Sequence, residues 1–144
     1  MSQENKEVAQ KYVRAMSAHD VDAAVALVHT DLVNHAALPE AQGSAGLRTI
    51  LTKVIKAFPD ATWTIEDLIA EGDRVVCRVK MKGTNEGALD FLRVPLPPTG
   101  KRVESEAIHV MRIANGKVAE HWAGRDDIGM MRQLGQFPAQ GATA

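Results

Sequence analysis

Hydrophobic residues recur at helical spacing in three segments of the first half of the chain. The first predicted helix runs from Glu4 to Ser17 and carries one apolar face. A short second helix starts at Asp20, whose side chain suits an N-cap position. A third helix is predicted from about Ser44 to Ala57, and Pro59 prevents it from continuing.

The second half of the chain changes to two-residue alternation, which is typical of β-strands. Two strands are expected around the turn Glu71-Gly72-Asp73 and two more around Asn115-Gly116, which is a strong hairpin signal. A brief extended segment, Leu32 to His35, precedes the third helix, and a short helix from about Asp127 to Leu134 closes the domain. Helices followed by a mostly antiparallel sheet predict an α+β fold with a cavity between the two layers.

Bulk composition narrows the class of protein. The 144 residues suit one domain, predicted over 1–135, with a flexible tail over 136–144. A formal charge of −1 without a basic block argues against nucleic acid as a partner. The polar N-terminus and the lack of an apolar run of ~20 residues favour a cytoplasmic protein without a membrane span. Cys77 is the single cysteine, so no disulfide within the chain is possible, and it is expected in the core.

Two adjacent acids, Asp126 and Asp127, lie where the last strand gives way to the last helix. Trp122 is the largest residue of that strand, so we expect it to face the core. Strand alternation then directs Asp126 inward, where burial would raise its pKa towards neutrality, and leaves Asp127 to cap the helix. The alternative, in which Asp126 is itself the cap, stays open on pattern alone.

Three further polar residues are candidates for a cavity. His109 stands between Ala107 and Met111 on its strand and is either a packed core histidine or a pocket residue. Asn34 and His35 point in opposite directions if the segment is extended, and either could reach the cavity. The five histidines lack the spacing of a metal site, and no phosphate-binding glycine loop is present. No metal and no nucleotide cofactor are therefore predicted.

The segments "AFPD", "PPTG", "EHW" and "QLG", in this order, resemble the SnoaL-like polyketide cyclases of the nuclear transport factor 2-like superfamily. The resemblance runs from about Val8 to Gly135. It implies a cone-shaped, curved sheet whose concave face is covered by the N-terminal helices, with a deep apolar pocket. It also implies a homodimer or a higher homo-oligomer, and the apolar Ile108 and Val110 on the outer sheet face suit such a contact. The loop around Val94 is longer than in relatives, so the mouth of the pocket is expected to differ.

What the resemblance implies about chemistry is an intramolecular aldol condensation without cofactor. Asp126 matches the acid/base of the family, and His109 and Asn34 match assisting residues. By analogy with ketosteroid isomerases, His35 is also expected to face the pocket. The predicted substrate is a small hydrophobic carbonyl compound, bound by an apolar wall made of Trp63, Met81, Phe91, Met111 and Trp122.

Two alternatives accompany this leading hypothesis. Hydrolysis of an epoxide occurs on the same fold, but it needs two carboxylates and an arginine around one water, and no second inward acid is evident. A non-catalytic module that binds a small apolar ligand is the other alternative. The exposure of Asp126 discriminates between the enzyme and the binding module.

Overall fold

The computed structural model describes residues 2–90 and 95–136. The predicted tail 136–144 therefore lies outside the described residues, apart from Gln136, and so do Phe91 and Val94. The elements follow along the chain as α1 (Ser2–Ser17), α2 (Val21–Ala26), β1 (Val28–Asn34), α3 (Gly43–Ala57), β2 (Thr62–Glu71), β3 (Arg74–Thr84), β4 (Arg102–Ala114), β5 (Lys117–Arg125) and α4 (Asp127–Gln133).

The helices predicted from spacing are confirmed, with ends that move by one or two residues. Asp20 caps α2, because its Oδ1 accepts a hydrogen bond from the backbone N–H of Ala23 at 3.0 Å. The buried face of α1 contains Ala9, Tyr12 and Val13, which pack on the sheet. Helical spacing therefore identified the face that covers the sheet.

The five strands form one sheet in the order β1-β5-β4-β3-β2. The β2–β3, β3–β4 and β4–β5 pairs are antiparallel, and the β1–β5 pair is parallel. Asn115 and Gly116 have φ values of 52° and 74° in the β4–β5 turn, which is the left-handed geometry that favours this dipeptide. The predicted α+β class and the mostly antiparallel sheet are confirmed.

A β-bulge in β5 decides which side chains face the helices. Ile113 lies opposite Val118, but the next pair is Arg112 opposite Glu120, so Ala119 is an extra residue. One extra residue reverses the two faces for the rest of a strand. Beyond the bulge, the residues on the inner face are therefore His121, Ala123 and Arg125, beside Met111 and His109 of β4.

Two apolar clusters hold the layers together. The larger lies under α1 to α3 and contains Val75, Cys77 and Met111 from the inner sheet face. The smaller is centred on Phe58 and Leu89, and the short α4 adds Met130 and Leu134 to it. No helix within residues 2–90 and 95–136 is long and apolar enough to cross a membrane.

Candidate active site

A cavity of about 170 Å³ lies between the helices and the inner face of the sheet. Most of its wall is apolar, which suits a hydrophobic ligand. The lining residues are Tyr12, Met16, Asn34, Ala36, Leu47, Ile50, Leu51, Val54, Phe58, Trp63, Val79, Met81, Ser105, Glu106, Ala107, His109, His121, Arg125, Asp127 and Met130.

The polar end of the cavity is a hydrogen-bonded chain of three side chains. His109 Nδ1 lies 2.8 Å from His121 Nε2, and His121 Nδ1 lies 2.9 Å from Asn34 Oδ1. The two imidazole rings are nearly parallel, with centroids 5.1 Å apart. Gln42 holds the backbone of Asn34, because it accepts from the Asn34 N–H at 2.7 Å and donates to the Asn34 carbonyl at 2.9 Å. Hydrogen bonds therefore hold the side chains of His109, His121 and Asn34 in place at this end of the cavity.

Both imidazoles are neutral at physiological pH. Burial lowers the pKa of His109 to about 4, and the positive charge of Arg125 contributes in the same direction. Burial, followed by the charges of His109 and Arg125, lowers the pKa of His121 to about 3. A neutral imidazole carries one N–H donor and one lone pair, so each ring can donate and accept within the chain.

An ion pair of opposite charges lines the cavity beside the histidines. Arg125, the last residue of β5, and Asp127, the first residue of α4, both belong to the lining. Arg125 Nε lies 3.5 Å from Asp127 Oδ1, and the two side chains are 51% and 55% exposed. The cavity therefore has a partly buried imidazole end and a charged region open to solvent.

The predicted orientation of the two adjacent acids is wrong. Asp126 is exposed and is the N-cap of α4, since its Oδ1 accepts from the Gly129 N–H at 2.9 Å. It has no hydrogen bond to His109 or Asn34 within the described part of the chain, and it is not among the residues that line the cavity. Asp127 occupies the inward position instead. The two faces had been assigned from Trp122, which lies on the outer face, so each assignment that followed from it by alternation is reversed.

Trp122 and His35 also lie on the opposite face from the one expected. Trp122 pairs with Val110 on the outer face, where its ring stacks on His35 at 4.7 Å and lies beneath the Arg74 guanidinium. His35 Nε2 lies 2.7 Å from Glu120 Oε2. The indole is thus covered by the His35 ring and the Arg74 guanidinium. The inner face of β5, which we expected Trp122 to occupy because of its size, carries His121 instead.

The remaining predicted residues divide between the cavity and the core. Asn34, His109, Trp63 and Met81 line the cavity as expected. Met111 is 1% exposed and belongs to the packed core instead of the cavity wall. Its position beneath the helices leaves it no surface for a ligand. Phe91 lies outside the described residues.

Sequence reasoning missed three polar residues of the cavity, His121, Arg125 and Asp127. Regular alternation from Val118 places all three on the outer face, and only the single extra residue Ala119 brings them inward. Nothing in the residues around Ala119 indicates the bulge, so alternation alone could not have placed these three residues at the cavity. Tyr12, on the buried face of α1, also lines the cavity.

Comparisons with known proteins agree with this architecture. Residues 6–134 match the family model described as SnoaL-like polyketide cyclase. The chain is 29% identical over 134 residues to the aklanonic acid methyl ester cyclase DnrD of Streptomyces peucetius, which covers 90% of each protein. It is 32% identical over 111 residues to the nogalonic acid methyl ester cyclase of Streptomyces nogalater, covering 75% of this chain and 80% of that protein.

Solved structures show the same fold. TsrD from Streptomyces laurentii superposes with a TM-score of 0.85 at 24% identity, over 95% of this chain and 98% of that one. The five-stranded curved sheet with helices on one face is thus a nuclear transport factor 2-like fold. The chain belongs to the SnoaL-like polyketide cyclase family.

Proposed function

We propose that the protein closes a ring in a hydrophobic carbonyl compound by intramolecular aldol condensation, without a metal or an organic cofactor. The observation that best supports this proposal is the apolar cavity with the neutral His109 and the amide of Asn34 at its polar end. Two relatives are named as cyclases of the methyl esters of aklanonic and nogalonic acid. These methyl esters are therefore the first substrates to test.

The cavity offers a base for the first proton transfer. An aldol ring closure starts with removal of a proton from a carbon beside a carbonyl group, which produces an enolate. His109 is a partly buried, neutral base of the lining, and its low pKa makes it weak. A weak base suffices only where the enolate is stabilised as it forms.

Two groups are placed to provide that stabilisation. Asn34 is 5% exposed, and its Nδ2 has no partner among the described residues, so its N–H groups are free to donate to an enolate oxygen in the cavity. The guanidinium of Arg125 adds a positive charge at the same cavity. The charge that lowers the pKa of His109 thus favours the anion that His109 would generate.

An aspartate at the end of β5 completes the proposed acid/base set. Family resemblance implies Asp126, but Asp126 is an exposed helix cap and therefore does not favour an enzyme over a binding module. We assign the acid/base role to Asp127 instead, because Asp127 lines the cavity. Asp127, held by Arg125, would take the proton from the His109 imidazolium and pass it to the alkoxide that forms when the enolate attacks the second carbonyl group, which returns both residues to their starting states.

The matched pair Asp127→Asn and Asp126→Asn tests this assignment. Ring closure by an aldol reaction leaves the molecular mass unchanged, so substrate and product are separated by chromatography and followed by absorbance. We expect Asp127→Asn to lower kcat by about 10²-fold, within the usual range for a general acid/base. Asp126→Asn should retain activity and stability, since Asn caps helices as well as Asp does.

Other outcomes of this experiment are equally definite. Loss of activity in Asp126→Asn alone would assign the proton transfer to the cap residue and contradict the choice of Asp127. If wild-type protein bound the methyl esters without converting them, and neither substitution altered the binding, the protein would be a binding module.

Epoxide hydrolysis is the less favoured reaction in this cavity. Such chemistry needs a second inward carboxylate, and Glu106 is the only other acid of the described lining. Glu106 Oε1 lies 2.7 Å from Arg78 Nη1 on the outer face of the sheet, so its carboxylate is turned away from the cavity. Arg125 and Asp127 alone do not make the required set.

We also propose that the outer sheet face carries a homodimer contact. Ile69 and Ile108 are 63% and 52% exposed there. Val76 and Val110 connect them into an apolar row across three strands. Sedimentation equilibrium should give twice the chain mass, and Ile108→Lys should shift the protein to monomer. A wild-type monomer at micromolar concentration would contradict the contact.

A further inference from the structure

We infer that His121 is a positioning residue that fixes His109 as its Nδ1–H tautomer, so that the Nε2 lone pair of His109 is the proton acceptor in the cavity. The inference rests on the proposed function for its catalytic meaning, but the tautomer itself follows from the hydrogen-bond geometry and the neutral state of His121.

The Asn34 atom in contact with His121 is the amide oxygen. The backbone N–H of Ala36 donates to the same Asn34 atom at 3.1 Å. A backbone N–H needs an acceptor, so this atom is the amide oxygen Oδ1 and not the nitrogen. An amide oxygen has no proton to give. His121 Nδ1, 2.9 Å away, must therefore carry the hydrogen of that contact.

The proton on His121 Nδ1 in turn fixes the tautomer of His109. His121 is neutral, so with its proton on Nδ1 its Nε2 has only a lone pair. His109 Nδ1 lies 2.8 Å from that lone pair and must donate to it. The remaining nitrogen of His109, Nε2, then has no proton. No hydrogen bond joins it to a described residue, and no buried side-chain nitrogen of the described residues lacks a partner, so His109 Nε2 is open to the cavity that His109 lines.

The same chain explains the directions of proton transfer in the proposed reaction. His109 Nε2 takes the proton from the substrate carbon, and the C–H electron pair becomes the enolate. The imidazolium that forms keeps the hydrogen bond from its Nδ1–H to His121 Nε2. His121 therefore neither loses a proton nor changes its tautomer. Without an acceptor at Nδ1, an imidazole favours the Nε2–H form in water, which would present a donor to the substrate instead of a base.

The protonation of the ring nitrogens of His109 and His121 is tested first on the free protein, without substrate. Long-range ¹H–¹⁵N correlation spectra of histidine-labelled protein at pH 7 distinguish protonated from unprotonated ring nitrogens. We expect Nδ1–H and an unprotonated Nε2 for both His109 and His121. A protonated Nε2 on His109 would overturn the inference, and this readout is independent of whether the chain catalyses ring closure.

Two substitutions of His121 then separate positioning from packing. His121→Gln places an amide oxygen near the position of Nε2 and should keep His109 in the Nδ1–H form. His121→Leu removes the acceptor, so the His109 signals should move to the Nε2–H form and kcat should fall at least tenfold, with KM within about twofold. An unchanged tautomer in His121→Leu, or equal losses of kcat in both variants, would contradict the assignment.

A further control covers the case in which His121→Leu does not fold. Asn34→Asp retains an oxygen acceptor for His121 Nδ1–H, so it should preserve the tautomers of both histidines. Asn34→Leu removes that acceptor and should release His121, and through it His109, to a mixture of forms. If neither change at Asn34 altered the tautomer of His109, the inference that Asn34 fixes His109 through His121 would be overturned.

Discussion

The histidine pair should make the domain acid-sensitive well above the range where carboxylates titrate. Both imidazoles are neutral in the folded protein, with pKa values lowered from 6.5 to about 4 for His109 and about 3 for His121. In the unfolded chain both return to ordinary values. Between these values the unfolded state binds more protons than the folded state, so the free energy of unfolding decreases as the pH falls.

The size of this effect follows from the two pKa values. For His109, linkage between 6.5 unfolded and about 4 folded predicts a loss of about 2 kcal/mol between pH 7 and pH 5. His121 should contribute a further ~2 kcal/mol by the same reasoning. The sum of ~4 kcal/mol is a large part of the ~5–15 kcal/mol that stabilises a typical domain.

Urea denaturation at pH 7 and pH 5 measures this difference. Asp60, Glu104 and Glu120 have lowered pKa values and so titrate below this window. His109→Gln should lose about half of the wild-type pH dependence. A wild-type change below ~1 kcal/mol, or a His109→Gln variant with the full wild-type dependence, would show that the histidines are not buried as a neutral pair.

Three further predictions concern the surroundings of the site. Trp122→Ala should cost about 1–2 kcal/mol in urea denaturation, because the ring stacks on His35 at the outer face; a loss of ~3–5 kcal/mol would return it to the core. Gly129→Ala should cost about 1 kcal/mol, since a Cβ there meets the Asp126 carboxylate and opens the cap, and an unchanged melting midpoint would contradict this geometry. Cys77 is buried and its pKa is raised to about 11 by burial, so iodoacetamide at pH 8 should label it only after unfolding; rapid native labelling would refute its burial.

The sequence was sufficient for the fold because local signals and the fold agree. Helical spacing, the Asp20 cap and the Asn115-Gly116 turn each specify their element without reference to the rest of the chain. The regular pairing of β4 with β3 keeps His109 on the inner face that alternation predicts. Asn34 follows an irregularity in β1, so its place in the cavity was implied by the family resemblance and not by strand alternation.

In β5, hydrophobic alternation alone does not show which side chains face the helices. A single extra residue, Ala119, reverses the face of every residue after it, and nothing in its neighbours announces the bulge. The rule that the largest apolar side chain faces the core then gave the wrong choice between Trp122 and His121. Burial of His121 is tolerated because both ring nitrogens are hydrogen-bonded, which depends on Asn34, 87 residues away in the chain.

The most direct test of the central claim is the rate of ring closure in His109→Gln at saturating methyl ester. Gln keeps the approximate size and polarity of the side chain but cannot accept a proton from carbon. We predict a fall in kcat of about 10²-fold or more with little change in KM, as expected for loss of a general base. Ring closure at the wild-type rate in this variant would contradict the role of the buried histidine.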